Sequence, residues 1–148
     1  LDRLVEAVDE ADRAELDGGV TVPADGGSDG GHESLSFDVV VRDRMGNPLV
    51  VADLNTSRDA ATRSQMESLI EKARTVGGAK EQFAGAFLVT ASFFEPAALE
   101  TADAATASGG LLGGSSRRSY VKLSRRAGFH LCLVETRGGA FHMNVPEL

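Results

Sequence analysis

The chain has no tryptophan, one tyrosine and one cysteine among its 148 residues. A single thiol, Cys132, cannot close an intramolecular disulfide, which leads one to expect a cytoplasmic setting. No apolar run approaches the roughly 18 residues that cross a bilayer, so no membrane partner is expected. No basic-then-apolar leader is present either, and a chain opening at Leu1 reads as a segment of a longer protein. Lysine is scarce, with three against twelve arginines. A net charge of -7 argues against a strong non-specific grip on polyanions.

That charge is unevenly spread. Residues 1–34 hold ten acids and two bases, while residues 35–148 are nearly balanced. The acidic lead-in, the arginine bias and the many small residues resemble proteins of salt-accumulating, halophilic microbes. In LDRLVEAVDEADRAEL, Leu1, Leu4, Val8 and Ala11 recur every three or four residues. The spacing predicts an amphipathic helix over residues 1–17, the end of a coiled coil through which residues 1–16 would self-associate or bind a protein partner. The glycine-rich, acidic stretch 18–34 reads as a flexible linker. A compact domain is expected over residues 35–148.

Within it, SFDVVVRD and LVVADL flank the turn-rich RMGNP and predict an antiparallel hairpin. A turn between Asp43 and Pro48 sets Asp38 opposite Asp53, Val40 opposite Val51 and Arg42 opposite Leu49. Phe37, Val39, Val41, Val50, Ala52 and Leu54 then fill the other face, which is expected to be the core, and a one-residue slip would put Asp38 into it. Opposed carboxylates repel, so the pair implies a solvated strand mouth, a neutralising cation such as Arg42, or a bound Mg2+. Thr56 or Ser57 is expected to cap the next helix, with Asp59 in its first turn. Met66, Leu69, Ile70, Ala73 and Val76 form its apolar stripe, and Gly77-Gly78 its stop. GAFLVTAS predicts a buried central strand. Pro96 opens an alanine-rich helix running to about Ala107. SYVKLS, FHLCLVET and AFHMNV read as three further strands.

A hairpin with one acid per strand, then a helix and a buried strand, resembles the PD-(D/E)xK, or restriction-endonuclease-like, nuclease superfamily. Asp38 matches its first acid, and Asp53-Leu54-Asn55 stands at its (D/E)xK motif. GAFLVTASFFEPAALETADAA is similar to the Mrr-type restriction endonuclease pattern, in which a G-x-x-V-T strand leads through a phenylalanine to an alanine-spaced helix. Gln65 resembles a glutamine that some RecB-like members place on the helix after the motif. The resemblance spans about residues 35–110. It implies an α/β fold of a mixed sheet flanked by helices, Mg2+ held by Asp38 and Asp53, and metal-dependent phosphodiester hydrolysis.

The family's lysine is Asn55 here, which orients water but carries no charge for the developing phosphorane. A degenerate endonuclease centre is therefore expected, with Asn55 positioning water and Gln65 supporting it, unless Lys80 or Lys122 supplies the cation. Arg117, Arg118, Lys122, Arg125 and Arg126 concentrate five bases in ten residues and would contact nucleic-acid phosphates, or else form a solvated face. His130, Cys132 and His142 lack the paired spacing of a zinc site, and Cys132 suits a small core position. GGLLGG is followed by no Gly-Lys-Ser/Thr and is no P-loop. The alternative to a nuclease-like domain is a catalytically inert C-terminal module that binds protein.

Overall fold

The computed structural model describes residues 2–24, 30–106 and 129–144. The elements run α1 (Asp2–Glu10), β1 (Arg13–Pro23), β2 (His32–Arg42), β3 (Pro48–Asn55), α2 (Arg63–Ala79), β4 (Gly85–Thr90), α3 (Pro96–Thr106), β5 (His130–Arg137) and β6 (Ala140–Asn144). The six strands form one mixed sheet in chain order. β1, β2 and β3 pair antiparallel, β3, β4 and β5 pair parallel, and β6 returns antiparallel to β5. The α/β class with a central mixed sheet is as expected. The strand expected at SYVKLS and the basic cluster Arg117, Arg118, Lys122, Arg125 and Arg126 lie outside the described residues.

Helices cover both faces of the sheet. On one face Met66, Leu69, Ala73 and Val76 of α2 and Ala98 and Ala102 of α3 pack over Val40, Val51, Ala86, Leu88, Leu131 and Leu133 in the main core. On the other, Leu4 and Ala7 of α1 pack against Leu49, Val50 and Ala84. The side chain of Leu4 lies over Gly85, where a Cβ would stand 3.0 Å from it. The N-terminal helix is thus part of the domain. Val8, which the apolar spacing places on the buried stripe, is 68% exposed and Val5 is 55% exposed.

The sharpest departure lies between residues 11 and 34. Helical spacing runs on to Leu16, yet α1 stops at Glu10 and the chain enters a strand. The donor Asp12 N–H meets the Arg42 carbonyl at 2.9 Å, and a ladder with β2 continues to Pro23 opposite His32. Ala14, Glu15 and Leu16 favour helices, but pairing with a long partner strand outweighs that weak preference. Glu15 is drawn to Arg42 at 2.8 Å across the two strands. Val20 and Val22 are buried at alternate positions, the period of a strand with one core face. Gly18 is required there, because a Cβ on it would lie 2.8 Å from Val40 Cγ2. Among the described residues of the expected linker, 18–23 and 32–34 are therefore strand.

The second helix starts later than its polar lead-in suggests. Thr62, not Thr56 or Ser57, is its N-cap, in a reciprocal capping box with Gln65. Residues 56–61 are held as loop: Asn55 donates to the Asp59 carbonyl, and Ala61 bridges to Phe94 beyond β4. Gly77 and Gly78 stay inside α2, which ends when the Lys80 N–H bonds to the Val76 carbonyl at 2.8 Å. At the far edge, Gly138 and Gly139 both take positive φ and make a two-residue turn, which sets His142 opposite Glu135.

His130 is buried at the start of β5. Burial, with nearby positive charge including Arg3 adding to it, pushes its pKa below the ordinary 6.5. The unfolded chain then binds a proton more readily than the folded one. The stabilisation is complete above about pH 6.5 and is lost as pH falls from there toward the folded value. Urea midpoints at pH 7.5 and pH 5 should fall further for the native chain than for His130→Gln, and equal falls would refute the linkage. Burial also pushes the Cys132 thiol up to about 11. Alkylation at pH 8 should therefore be slow until the chain is unfolded.

Candidate functional site

The hairpin register sets the site. Val39 pairs with Ala52, Val40 with Val51 and Val41 with Val50, as the turn position required; Arg42 slips by one to Pro48 at an irregularity. Beyond Val39 the regular ladder stops, and the two aspartates take over the bonding. Asp38 Oδ2 accepts the Leu54 N–H at 2.6 Å, and Asp53 Oδ1 accepts the Asp38 N–H at 3.4 Å. On the other side, the β1–β2 pairing skips the same position, opposite Asp17, whose φ is 51°. This interruption upsets strict alternation, so Phe37 joins the main core with Val40 rather than standing on the opposite face.

Asp38 and Asp53 line one cleft of about 510 Å³. Its walls include Asp17 from β1, Ser36 and Phe37 from β2, and Ser64, Gln65, Ser68 and Lys72 from α2. The neutralising cation is Lys72. Its Nζ donates to Asp53 Oδ2 at 2.7 Å and to the Ser36 carbonyl at 2.8 Å, and lies 4.5 Å from the Phe37 ring centroid. Both partners are mostly withdrawn from solvent, with the Lys72 side chain 22% and that of Asp53 20% exposed. Arg42 is engaged elsewhere, with Glu15 and the Gly19 and Gly46 carbonyls.

The expected site residues divide. Asp38, Asp53 and Gln65 share the cleft, although the Gln65 side-chain oxygen accepts the Thr62 N–H at 2.9 Å and so serves the helix cap. Asn55 is buried, and its amide donates to the Asp59 carbonyl and Thr90 Oγ1, tying β3 to β4 and to the following loop. Lys80 ends α2, two turns beyond Lys72. Sequence reasoning missed both Lys72 and Asp17. Gln65, Ser68 and Lys72 stand at i, i+3 and i+7 on one helix face, a signal that could have found the lysine. Asp17 had been assigned to the end of a helix, and only the strand brings it to Asp38.

The cleft is open, and Phe37, Leu54 and Leu88 line it beside the carboxylates. Among the described residues no group of three or more His, Cys, Asp or Glu side chains comes together around one point. Within the cleft, Asp38 Oδ2 and Asp53 Oδ1 accept backbone N–H groups and Asp53 Oδ2 accepts from Lys72; two carboxylates are too few for a closed zinc centre.

These features define a mixed α/β domain with an acid–lysine cleft between its hairpin and its longest helix. The chain belongs to the DUF7527 family, a domain of unknown function, whose match covers residues 1–148. Nothing among curated proteins or solved structures matches it. No helix among the described residues is long and apolar enough to cross a membrane.

Proposed function

We propose that this chain is a nuclease-like domain of the restriction-endonuclease-like type that associates with nucleic acid, with weakened or lost metal-dependent phosphodiester hydrolysis. The observation that carries this reading is the convergence of Asp38, Asp53 and Lys72 on one cleft, with the ammonium 2.7 Å from Asp53. A cation thus enters from α2, where the motif position offers only Asn55. The order of the surrounding elements adds support, since the hairpin leads into α2 and then into a buried strand parallel to β3.

Asp38 and Asp53 would hold Mg2+, which when bound lowers the pKa of its water and offsets charge on the phosphate. Lys72 offers the cleft a positive charge, held in place by Asp53, Ser36 and the Phe37 ring. Asn55 stabilises the loop that frames the cleft, its amide hydrogens being directed to Asp59 and Thr90. Hydrolysis is weakened because Lys72 arrives already paired with an acid.

Manganese titration followed by amide NMR tests the reading. Selective broadening at Val39, Ala52 and Leu54, lost in Asp38→Ala and in Asp53→Ala, is expected. Uniform or absent broadening would refute a metal site. A second reading, an inert protein-binding module, draws on the exposed Val5 and Val8 of α1 and on Leu54. Salt separates the two: nucleic-acid binding weakens steeply as salt rises, whereas apolar association holds or strengthens in excluded salts.

A further inference from the structure

Resting on the metal-site reading, we propose that the Lys72 ammonium is a tethered competitor for the cation position at Asp53, so that this lysine sets how tightly the cleft takes a divalent ion. The ammonium already occupies Asp53 Oδ2 at 2.7 Å. The other oxygen, Oδ1, faces the Asp38 N–H at 3.4 Å, and Asp38 Oδ2 is committed to the Leu54 N–H at 2.6 Å. An arriving ion therefore reaches Asp53 only by displacing Lys72 or by standing beside it.

Standing beside it is unfavourable. An ammonium and a divalent ion a few ångström apart repel by more than a tenfold change in affinity, at the effective dielectric of a protein surface. Displacement also has a cost, because Lys72 gives up the Ser36 carbonyl at 2.8 Å and its place over the Phe37 ring. Asp53 is thus compensated without a metal by Lys72, while Asp38 accepts the Leu54 N–H. Ion binding then exchanges one cation for another at the Asp53 carboxylate.

The test is a Mn2+ titration without nucleic acid on the native chain, Lys72→Met, Lys72→Arg and Asp53→Ala, read by amide broadening. Lys72→Met should half-saturate at a Mn2+ concentration at least about tenfold lower than the native chain. Lys72→Arg, which keeps the charge, should stay within about threefold. Asp53→Ala should show no localised broadening. Equal or weaker binding by folded Lys72→Met overturns the competition and leaves the metal site standing. Loss of localised broadening in every protein, the native chain included, overturns the metal site and the competition together. The unmutated chain gives an independent reading: diamagnetic Mg2+ should move the Lys72 Nζ resonance in step with the Ala52 and Leu54 amides. A stationary Nζ signal at saturation overturns the proposal even where Lys72→Met does not fold.

Discussion

On the proposed nuclease reading, Asp53→Ala is expected to lower metal-dependent cleavage of nucleic acid by at least about a hundredfold, the usual effect of removing one preorganised electrostatic group from a reacting centre. The residue has two attachments that the substitution severs together. It is one of the two carboxylates that would hold Mg2+, and it is the acid that anchors Lys72 at 2.7 Å. The substitution also leaves a mostly buried ammonium whose remaining partners among the described residues are the Ser36 carbonyl and the Phe37 ring. Because the pair retains about a fifth of its exposure, the accompanying stability loss should be about 1–2 kcal/mol, between the values for surface and buried pairs. Single-turnover cleavage and urea unfolding, measured on the same preparation, separate the two effects. A stability loss with cleavage unchanged would make the Asp53–Lys72 pair purely structural and would remove Asp53 from the metal site.

Phe83→Ala should destabilise the fold by about 3–5 kcal/mol, the range for emptying a buried phenylalanine site. Phe83 is among the largest fully buried side chains and belongs to the main core. It lies between α2 and β4, and its ring meets Phe129, just before β5, with centroids 5.3 Å apart. Shrinking it removes contact between the two crossovers that carry the chain from β3 to β4 and from β4 to β5. The neighbouring backbone has little room to collapse, since the Phe83 N–H bonds to the Lys80 carbonyl and the Ala84 N–H to that of Leu49. For a domain of this size the melting temperature should fall by roughly 10 °C. A loss below about 1 kcal/mol would mean that the site refills, contrary to the dense packing seen here.

The parts of the site that could be read from the residues rest on short-range rules. A turn between Asp43 and Pro48 was enough to bring Asp38 against Asp53, but alternation assigned the core to the wrong face: Val40 and Val51 are fully buried in the main core, while Val39, Val41, Val50 and Ala52 are only partly buried. The strand after α2 and the helix opened by Pro96 were equally plain, the first from a continuous apolar run and the second from its first-turn proline. Residues 13–23 were not. Their local preference is helical or flexible, and the bonds that make them a strand reach β2 across a glycine-rich segment. Asn55 misled for a related reason: its place in the motif suggests chemistry, while its amide hydrogens find Asp59 and Thr90, which lies 35 residues along the chain.

Composition, apolar periodicity and turn residues therefore determined that this is an α/β domain with a hairpin carrying two facing acids, since each of those properties depends on neighbours within a few residues. Tertiary structure alone decided which cation meets the acids. Lys72 is separated from Asp53 by 19 residues and from Ser36 by 36. Only the packing of the Met66, Leu69, Ala73 and Val76 face of α2 onto the sheet brings its ammonium to their oxygens. Burial of an apolar stripe sets where that helix lies, and the charge beside the cleft follows from it.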